Sequence, residues 1–164
     1  MATFSFDIVS EYDKAEMNNV FAQVEKEISN RYDFKGTPAL IDWLGDKIGF
    51  KVVGENEWQI DSIIDIIRKK LAAREQSSKV LDLSKTIVTS NLKATKEIPF
   101  VAGLNQDKAK QITKLIRDEF PKVKPQIQGE AVRVVSSSKD ELQSVMQLIK
   151  ASDLDYPVSF TNYR

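Results

Sequence analysis

The stretch Gly49–Arg68 occurs twice, and this repetition narrows the folds open to the chain more than any other feature. Gly49-Phe-Lys-Val-Val-Gly-Glu-Asn-Glu-Trp-Gln-Ile-Asp-Ser-Ile-Ile-Asp-Ile-Ile-Arg68 aligns without a gap on Ala131-Val-Arg-Val-Val-Ser-Ser-Ser-Lys-Asp-Glu-Leu-Gln-Ser-Val-Met-Gln-Leu-Ile-Lys150. The second copy begins half a chain length after the first in a sequence of 164 residues. Lys51 falls on Arg133, Val52-Val53 on Val134-Val135, Ser62 on Ser144 and Arg68 on Lys150. Each copy alternates apolar and polar residues, as a half-buried strand does, and then changes to helical spacing. Ile60, Ile63, Ile64, Ile67 and Leu71 make one helical stripe; Leu142, Val145, Met146 and Ile149 make its counterpart. Asn56 with Gln59, and Ser138 with Glu141, have the spacing of a capping box. The chain therefore reads as two copies of one small module.

The remaining segments extend that unit. Phe4–Val9 alternates as a first strand, with Phe4, Phe6 and Ile8 on one face and Ser5, Asp7 and Val9 on the other. Ser10 or Asp13 caps a helix whose stripe is Met17, Val20, Phe21, Val24 and Ile28. Arg31 to Pro38 ends it, with Gly36 able to take a left-handed cap. Strands at 39–44 and 47–53 flank a Gly45-Asp46 turn, and a helix runs from Glu57 to near Arg74. A polar linker at 74–79 leads to short strand segments at 80–83 and 86–89. A strand at 94–104, an Asn105-capped helix and a hairpin of 125–128 with 131–136 come next. The repeated helix, a loop from Asp153 to Pro157 and a strand at 158–162 complete the chain. The second half has the β-α-β-β-α-β order of ferredoxin-like and RNA-recognition folds. The expectation is an α+β protein of two tandem ferredoxin-like modules, residues 1–83 and 84–164. Each would be an antiparallel sheet with two helices on one face. Fused copies can exchange terminal strands, which would bring the chain ends together.

The absence of histidine and cysteine excludes serine–histidine and cysteine–histidine chemistry, zinc sites and disulfides. No apolar run approaches the roughly 20 residues of a membrane helix, and the N-terminus shows no basic-then-apolar signal pattern. The formal net charge is zero, but residues 1–82 carry 11 basic and 15 acidic side chains and residues 83–164 carry 13 and 9. Neither half is basic enough for strong sequence-blind nucleic-acid binding. There is no Gly-x-x-x-x-Gly-Lys-Ser/Thr loop and no Gly-x-Gly-x-x-Gly, so a nucleotide would be held by side chains on sheets and loops.

Three sets of residues can serve in that way. If Ile127, Val132 and Val134 are core, Gln126, Gln128 and Arg133 lie side by side on the wet face of the second hairpin. Glutamine can pair a base edge twice, and arginine can hold a phosphate or guanine in bidentate fashion. The plainer reading is a solvated sheet face. Arg31-Tyr-Asp-Phe-Lys35 gathers Arg31, Asp33, Phe34 and Lys35 at a helix end: two cations, a carboxylate and rings. The dipole alone accounts for cations there, with Tyr32 and Phe34 as core anchors. Tyr163 and Arg164 would join this set if the chain ends meet. Lys108, Lys110, Lys114 and Arg117 form a basic helix face suited to nucleic-acid phosphates, although interleaved acids also suit a solvated face. Lys47-Ile-Gly-Phe50 is a fragment of an RNA-recognition signature, but parity puts Phe50 in the core beside Ile48 and Val52, which argues against ring stacking on that sheet.

Five ordered motifs together resemble the bacterial YajQ family: Ser5-Phe-Asp-Ile-Val-Ser-Glu11, Arg31-Tyr-Asp-Phe-Lys35, Gln126-Ile-Gln-Gly-Glu-Ala-Val-Arg-Val134, Asp140-Glu-Leu-Gln143 and Phe160-Thr-Asn-Tyr-Arg164. The resemblance spans essentially the whole chain. It implies paired ferredoxin-like domains related to RNA-recognition domains, in a cytoplasmic protein that binds nucleotides or RNA. Some members are cyclic di-GMP effectors that contact DNA or a transcription factor. It implies no catalytic activity, cofactor or metal. The segment Ala151-Ser-Asp-Leu-Asp155 departs from the glycine-rich loop usual in the family. The expected ligand is a nucleotide (cyclic di-GMP, GTP or ATP). RNA or DNA and a protein partner follow as further expectations, and no membrane partner is expected. The alternative is an RNA-binding protein using the basic C-terminal half.

Overall fold

The structure, a computed structural model, describes residues 3–152 and 154–164. Its elements in chain order are β1 (Phe4–Val9), α1 (Lys14–Asn30), β2 (Leu40–Leu44), β3 (Gly49–Gly54), α2 (Glu57–Ala73), β4 (Val88–Ser90), β5 (Lys93–Pro99), α3 (Gln106–Glu119), β6 (Lys124–Gln128), β7 (Ala131–Ser136), α4 (Lys139–Ala151) and β8 (Ser159–Thr161). Both repeats appear as read, β3 with α2 and β7 with α4. Each helix begins at a side-chain cap foreseen in the sequence. Asp13 accepts from the Glu16 amide at 3.1 Å and Asn56 from Gln59 at 2.8 Å. Asn105 accepts from Lys108 at 2.9 Å and Ser138 from Glu141 at 3.3 Å. The return half of each capping box differs. Gln59 Oε1 accepts from the Glu55 amide at 2.7 Å, and Glu141 Oε1 accepts from the Ser136 hydroxyl at 2.7 Å.

The strands form two four-stranded antiparallel sheets, in the orders β6-β7-β1-β8 and β2-β3-β5-β4. Matching β6 to β2, β7 to β3 and β8 to β4 leaves β1 and β5 in equivalent central positions. The first strand of each module has therefore changed places with that of the other. The chain divides into two compact units: a terminal unit of residues up to Glu11 with Ala102–Arg164, and an inserted unit, Tyr12–Val101. This differs from a division at residue 83. The reason is hydrogen bonding, since β5 pairs along its whole length with β3, from Gly49 opposite Pro99 to Gly54 opposite Ala94.

In the terminal unit β1, α3, β6, β7, α4 and β8 follow the ferredoxin-like order. Phe6, Ile8, Val132 and Val134 are buried, as are Ile112 and Ile116 of α3 and Leu142, Val145 and Ile149 of α4. Leu154 and Tyr156 are buried as well, so the segment read as a loop from Asp153 to Pro157 anchors the end of α4. Asp153 itself lies outside the described residues. The terminal strands meet as the exchange allows: β8 pairs with β1, and Ser5 and Arg164 exchange backbone hydrogen bonds at 3.2 and 3.0 Å.

In the inserted unit α1 and α2 pack on one face of the sheet, burying Met17, Val20, Val24, Ile28, Ile41, Phe50, Val52, Ile60, Ile63, Ile64, Ile67 and Leu71. Phe50 is fully buried, as parity requires, whereas Ile48 lies before β3 and is exposed. Gly49 faces β5 so closely that a Cβ there would come 2.3 Å from the Ile98 carbonyl oxygen. Its counterpart in the repeat is Ala131, on a strand that pairs with β1 instead. Residues 80–83 form no strand. A short 3₁₀ turn, Ser78–Val80, precedes a single bridge between Leu81 and Phe100. No helix among the described residues is long and apolar enough to cross a membrane.

Candidate nucleotide-binding sites

The helix-free face of the terminal unit carries the second-hairpin residues. Register sets Gln126 opposite Arg133, Arg133 opposite Asp7, and Asp7 opposite Thr161. The next rung is Gln128, Ala131, Val9 and Ser159, whose small side chains leave Gln128 uncrowded. Sequence parity exposes Asp7, but the structure buries it. Arg133 Nε donates to Asp7 Oδ1 at 3.0 Å, Nη2 to Oδ2 at 3.4 Å, and the Asn162 amide to Oδ2 at 2.9 Å. A charged group lifted from water needs such partners. The Arg133 hydrogen bond holds the Asp7 carboxyl below the usual carboxylate range, against the opposing pull of burial. Asn162 and the positive charges of Arg133 and Arg164 add to the lowering. Arg164 thus lies within electrostatic reach of the same carboxylate. The face presents two exposed amides and a half-exposed guanidinium whose Nε–Nη2 edge is bound to Asp7, which leaves its remaining Nη hydrogens free to donate, with Arg164 within electrostatic reach of Asp7. Ile127 is more exposed than a core residue, because β6 is the sheet edge.

Arg31, Asp33, Phe34 and Lys35 belong to the inserted unit, whereas the hairpin set belongs to the terminal unit. Arg31 caps α1 and forms a fork to Asp33, with Nε to Oδ1 at 3.0 Å and Nη2 to Oδ2 at 2.8 Å. Hydrogen bonding to that carboxylate raises the guanidinium pKa and lowers that of Asp33. Phe34 is buried and its ring is covered by the Arg31 guanidinium, 4.6 Å from the centroid. It cannot stack a base. Tyr32, expected in the core, is 88% exposed instead. The short 3₁₀ turn Tyr32–Phe34 turns the one ring outward as it buries the other.

On α3, Lys110, Lys114 and Arg117 are exposed at spacings that put them on one helical stripe. Lys108 is engaged elsewhere, its Nζ lying 4.8 Å from the centroid of the buried Tyr156 ring. The Tyr156 hydroxyl donates to Gln111 Oε1 at 3.0 Å.

One site escaped the sequence reading. In the inserted unit, Tyr12, Lys14, Met17, Asn18, Trp43, Asp46, Lys47 and Ile48 line a cavity of about 300 Å³. Trp43 stacks on Phe21 at 4.6 Å between centroids, and Lys47 Nζ lies 5.2 Å from the Trp43 centroid. The signal was the alternation in β2, which puts Trp43 with Ile41 on the helix-facing side. Nothing in sequence spacing joins that side to Tyr12 and Lys14.

Two four-stranded antiparallel sheets, each with two helices and in a chain with neither phosphate loop, define a class of small paired ferredoxin-like α+β modules. Comparison with known proteins names the family. The model of the family "Nucleotide-binding protein YajQ-like" matches residues 4–164. A relative from Nostoc punctiforme, named a nucleotide-binding protein, is 45% identical over 163 residues, covering 99% of both chains. One so named from Streptomyces griseus is 44% identical over 169 residues, covering both chains fully. Another from Trichodesmium erythraeum is 42% identical over 163 residues, covering 99% of both. The chain belongs to the YajQ-like nucleotide-binding family.

Proposed function

We propose that this chain is a non-enzymatic, cytoplasmic nucleotide-binding protein whose ligand docks on the open sheet face of the terminal unit. The observation that carries the reading is the rung Gln126–Arg133–Asp7. A buried carboxylate clamps the guanidinium on the strand next to an exposed amide. Anchoring of the guanidinium on Asp7 lowers the ordering cost of donating its remaining Nη hydrogens to a phosphate or a guanine edge. Gln126 and Gln128 supply paired donors and acceptors for a base, and Arg164 a second cation. The naming of relatives as nucleotide-binding proteins supports the ligand class. Cyclic di-GMP is the ligand proposed first, with GTP and ATP as its competitors. In this reading the bound protein acts as an effector on a nucleic-acid or protein partner. Arg31, Asp33 and Lys35, with Tyr32 in place of Phe34, are proposed as a separate contact in the inserted unit.

The exposed stripe of Lys110, Lys114 and Arg117 favours one alternative, an RNA-binding protein using its C-terminal half. Calorimetric titration of cyclic di-GMP, GTP, ATP and a short single-stranded RNA, at low and moderate salt, separates the two. The nucleotide reading expects saturable, salt-tolerant binding of one nucleotide, weakened about tenfold or more by Arg133→Ala, since a charged hydrogen bond is worth about 1.5–3 kcal/mol. Binding of RNA alone, with affinity falling steeply as salt rises, would transfer the function to α3.

A further inference from the structure

The cavity of the inserted unit has the composition of a site for a planar aromatic anion. Two of its lining residues are rings, Tyr12 and Trp43, each backed by further rings behind the cavity wall. Trp43 stacks on Phe21 with planes 12° apart, and Tyr12 meets Phe100 at 4.8 Å, which in turn meets Phe50 edge-on at 4.9 Å. Such a cluster needs no ligand to explain its buried members. What a core does not need is the rim. Lys14 and Lys47 are both exposed there, Ile48 stands 56% exposed, and Trp43 is left half-buried. Lys47 is held over Trp43, donating to Asn18 Oδ1 at 3.2 Å. Its backbone has φ 59°, the left-handed region that a side-chain-bearing residue enters at a cost. A glycine would sit there without strain. Lysine sits there instead, with its ammonium on the indole.

We infer that this cavity is a second ligand site, distinct from the sheet face of the terminal unit, which takes one nucleotide as a stacked base with its phosphate. The proposal rests on the nucleotide-binding reading. The base lies against Trp43, displacing the Lys47 ammonium from the ring, and Lys47 and Lys14 then bind the phosphate. A cation–π contact is thus exchanged for a stack and a charged pair. Asn18 and Asp46 offer acceptors to the amino group of a base. The volume of about 300 Å³ lies at the low end for small-ligand sites, which suits a mononucleotide and not two linked ones.

The chain has two tryptophans, and the other, Trp58, is 83% exposed. Trp58→Phe therefore leaves Trp43 as sole reporter in a folded protein. Emission excited at 295 nm is followed as GMP, guanosine and inorganic phosphate are added, with calorimetry on the same samples. The expected result is saturable quenching by GMP, at least tenfold weaker affinity for guanosine, and none from phosphate. In the Trp58→Phe background, Lys14→Ala and Lys47→Gly each weaken the GMP response about tenfold. Lys47→Gly does so without lowering the melting temperature, so unfolding is not the cause. If calorimetry registers nucleotide binding while Trp43 emission stays unchanged, the nucleotide sits elsewhere and this proposal alone fails. Quenching undiminished in both lysine variants also overturns it. Calorimetric silence toward every nucleotide sinks the nucleotide reading itself, and this site with it.

Discussion

Leu92 shows how one side chain can oppose its own backbone. It follows Asn91 at the two-residue tip between β4 and β5, where φ is 51° for Asn91 and 63° for Leu92. Hairpin tips of this form favour Asn-Gly, because both residues are left-handed. Leucine there is 93% exposed and gains no packing to offset the strain. Leu92→Gly should therefore stabilise the protein by about 0.5–1 kcal/mol in denaturant melts, relief of strain exceeding the greater freedom of the unfolded chain. An unchanged or lower midpoint would show that the leucine packs in a way the fold conceals. Asp7 is the opposite case, a buried charge made tolerable by its partners. Its folded pKa is depressed, so its contribution is complete above the unfolded value of about 3.9 and is lost as pH falls through the folded value. Asp7→Asn should lower stability at neutral pH, and the gap to wild type should close below about pH 4. A gap independent of pH would mean that the Arg133 pair adds nothing to stability.

At the level of elements, the helices were the most legible part, because their signals are local. Asp13, Asn56, Asn105 and Ser138 all cap as the spacing indicates. The apolar stripes of α1, α2 and α4 are the buried ones, with Phe21 of α1 partly buried. The connections were less legible, because a loop residue is buried by contacts distant in sequence. Tyr156 lies in a segment that reads as surface loop, yet burial, reinforced by the charge of Asp155, pushes its phenol up to about 12. Because the folded pKa is raised, the stability tied to it is intact below the unfolded value near 10 and is lost as pH climbs to about 12. An absorbance titration at 295 nm should resolve one late-ionising tyrosine among four. Tyr156→Phe should remove that step. The absence of any step near pH 12 would contradict the buried anchor. The candidate site was legible in part for the same reason. Gln126, Gln128 and Arg133 share one hairpin, and its alternation fixes their face. Asp7 and Arg164 reach that face only through the pairing of β1 with β7 and β8. The joining of Trp43 with Tyr12 and Lys14 around one cavity is likewise a long-range fact.

For the whole molecule, the repeat revealed two modules but not their ownership of strands. β1 and β5 are both central strands of equivalent sheets, and each satisfies the same alternation in either. The choice between a plain tandem and an exchanged pair rests on contacts of long sequence separation, which local pattern does not encode. Exchange makes the inserted unit continuous in sequence: Tyr12–Val101 holds α1, β2, β3, α2, β4 and β5, a full sheet with both of its helices. A cut at residue 83 instead retains β1 but removes β4 and β5. That strips β3 of one of its two partners and takes Ala94 and Ile98 from the core. A central strand turned into an open edge invites aggregation. A fragment of residues 12–101 should therefore unfold in a single cooperative thermal transition and give dispersed amide resonances. A fragment of residues 1–83 should be molten or aggregated. If 1–83 folds as cooperatively as 12–101, then β1 takes the place of β5 when β5 is missing. The exchanged arrangement would then be one of two near-equal pairings, selected only when both modules share one chain.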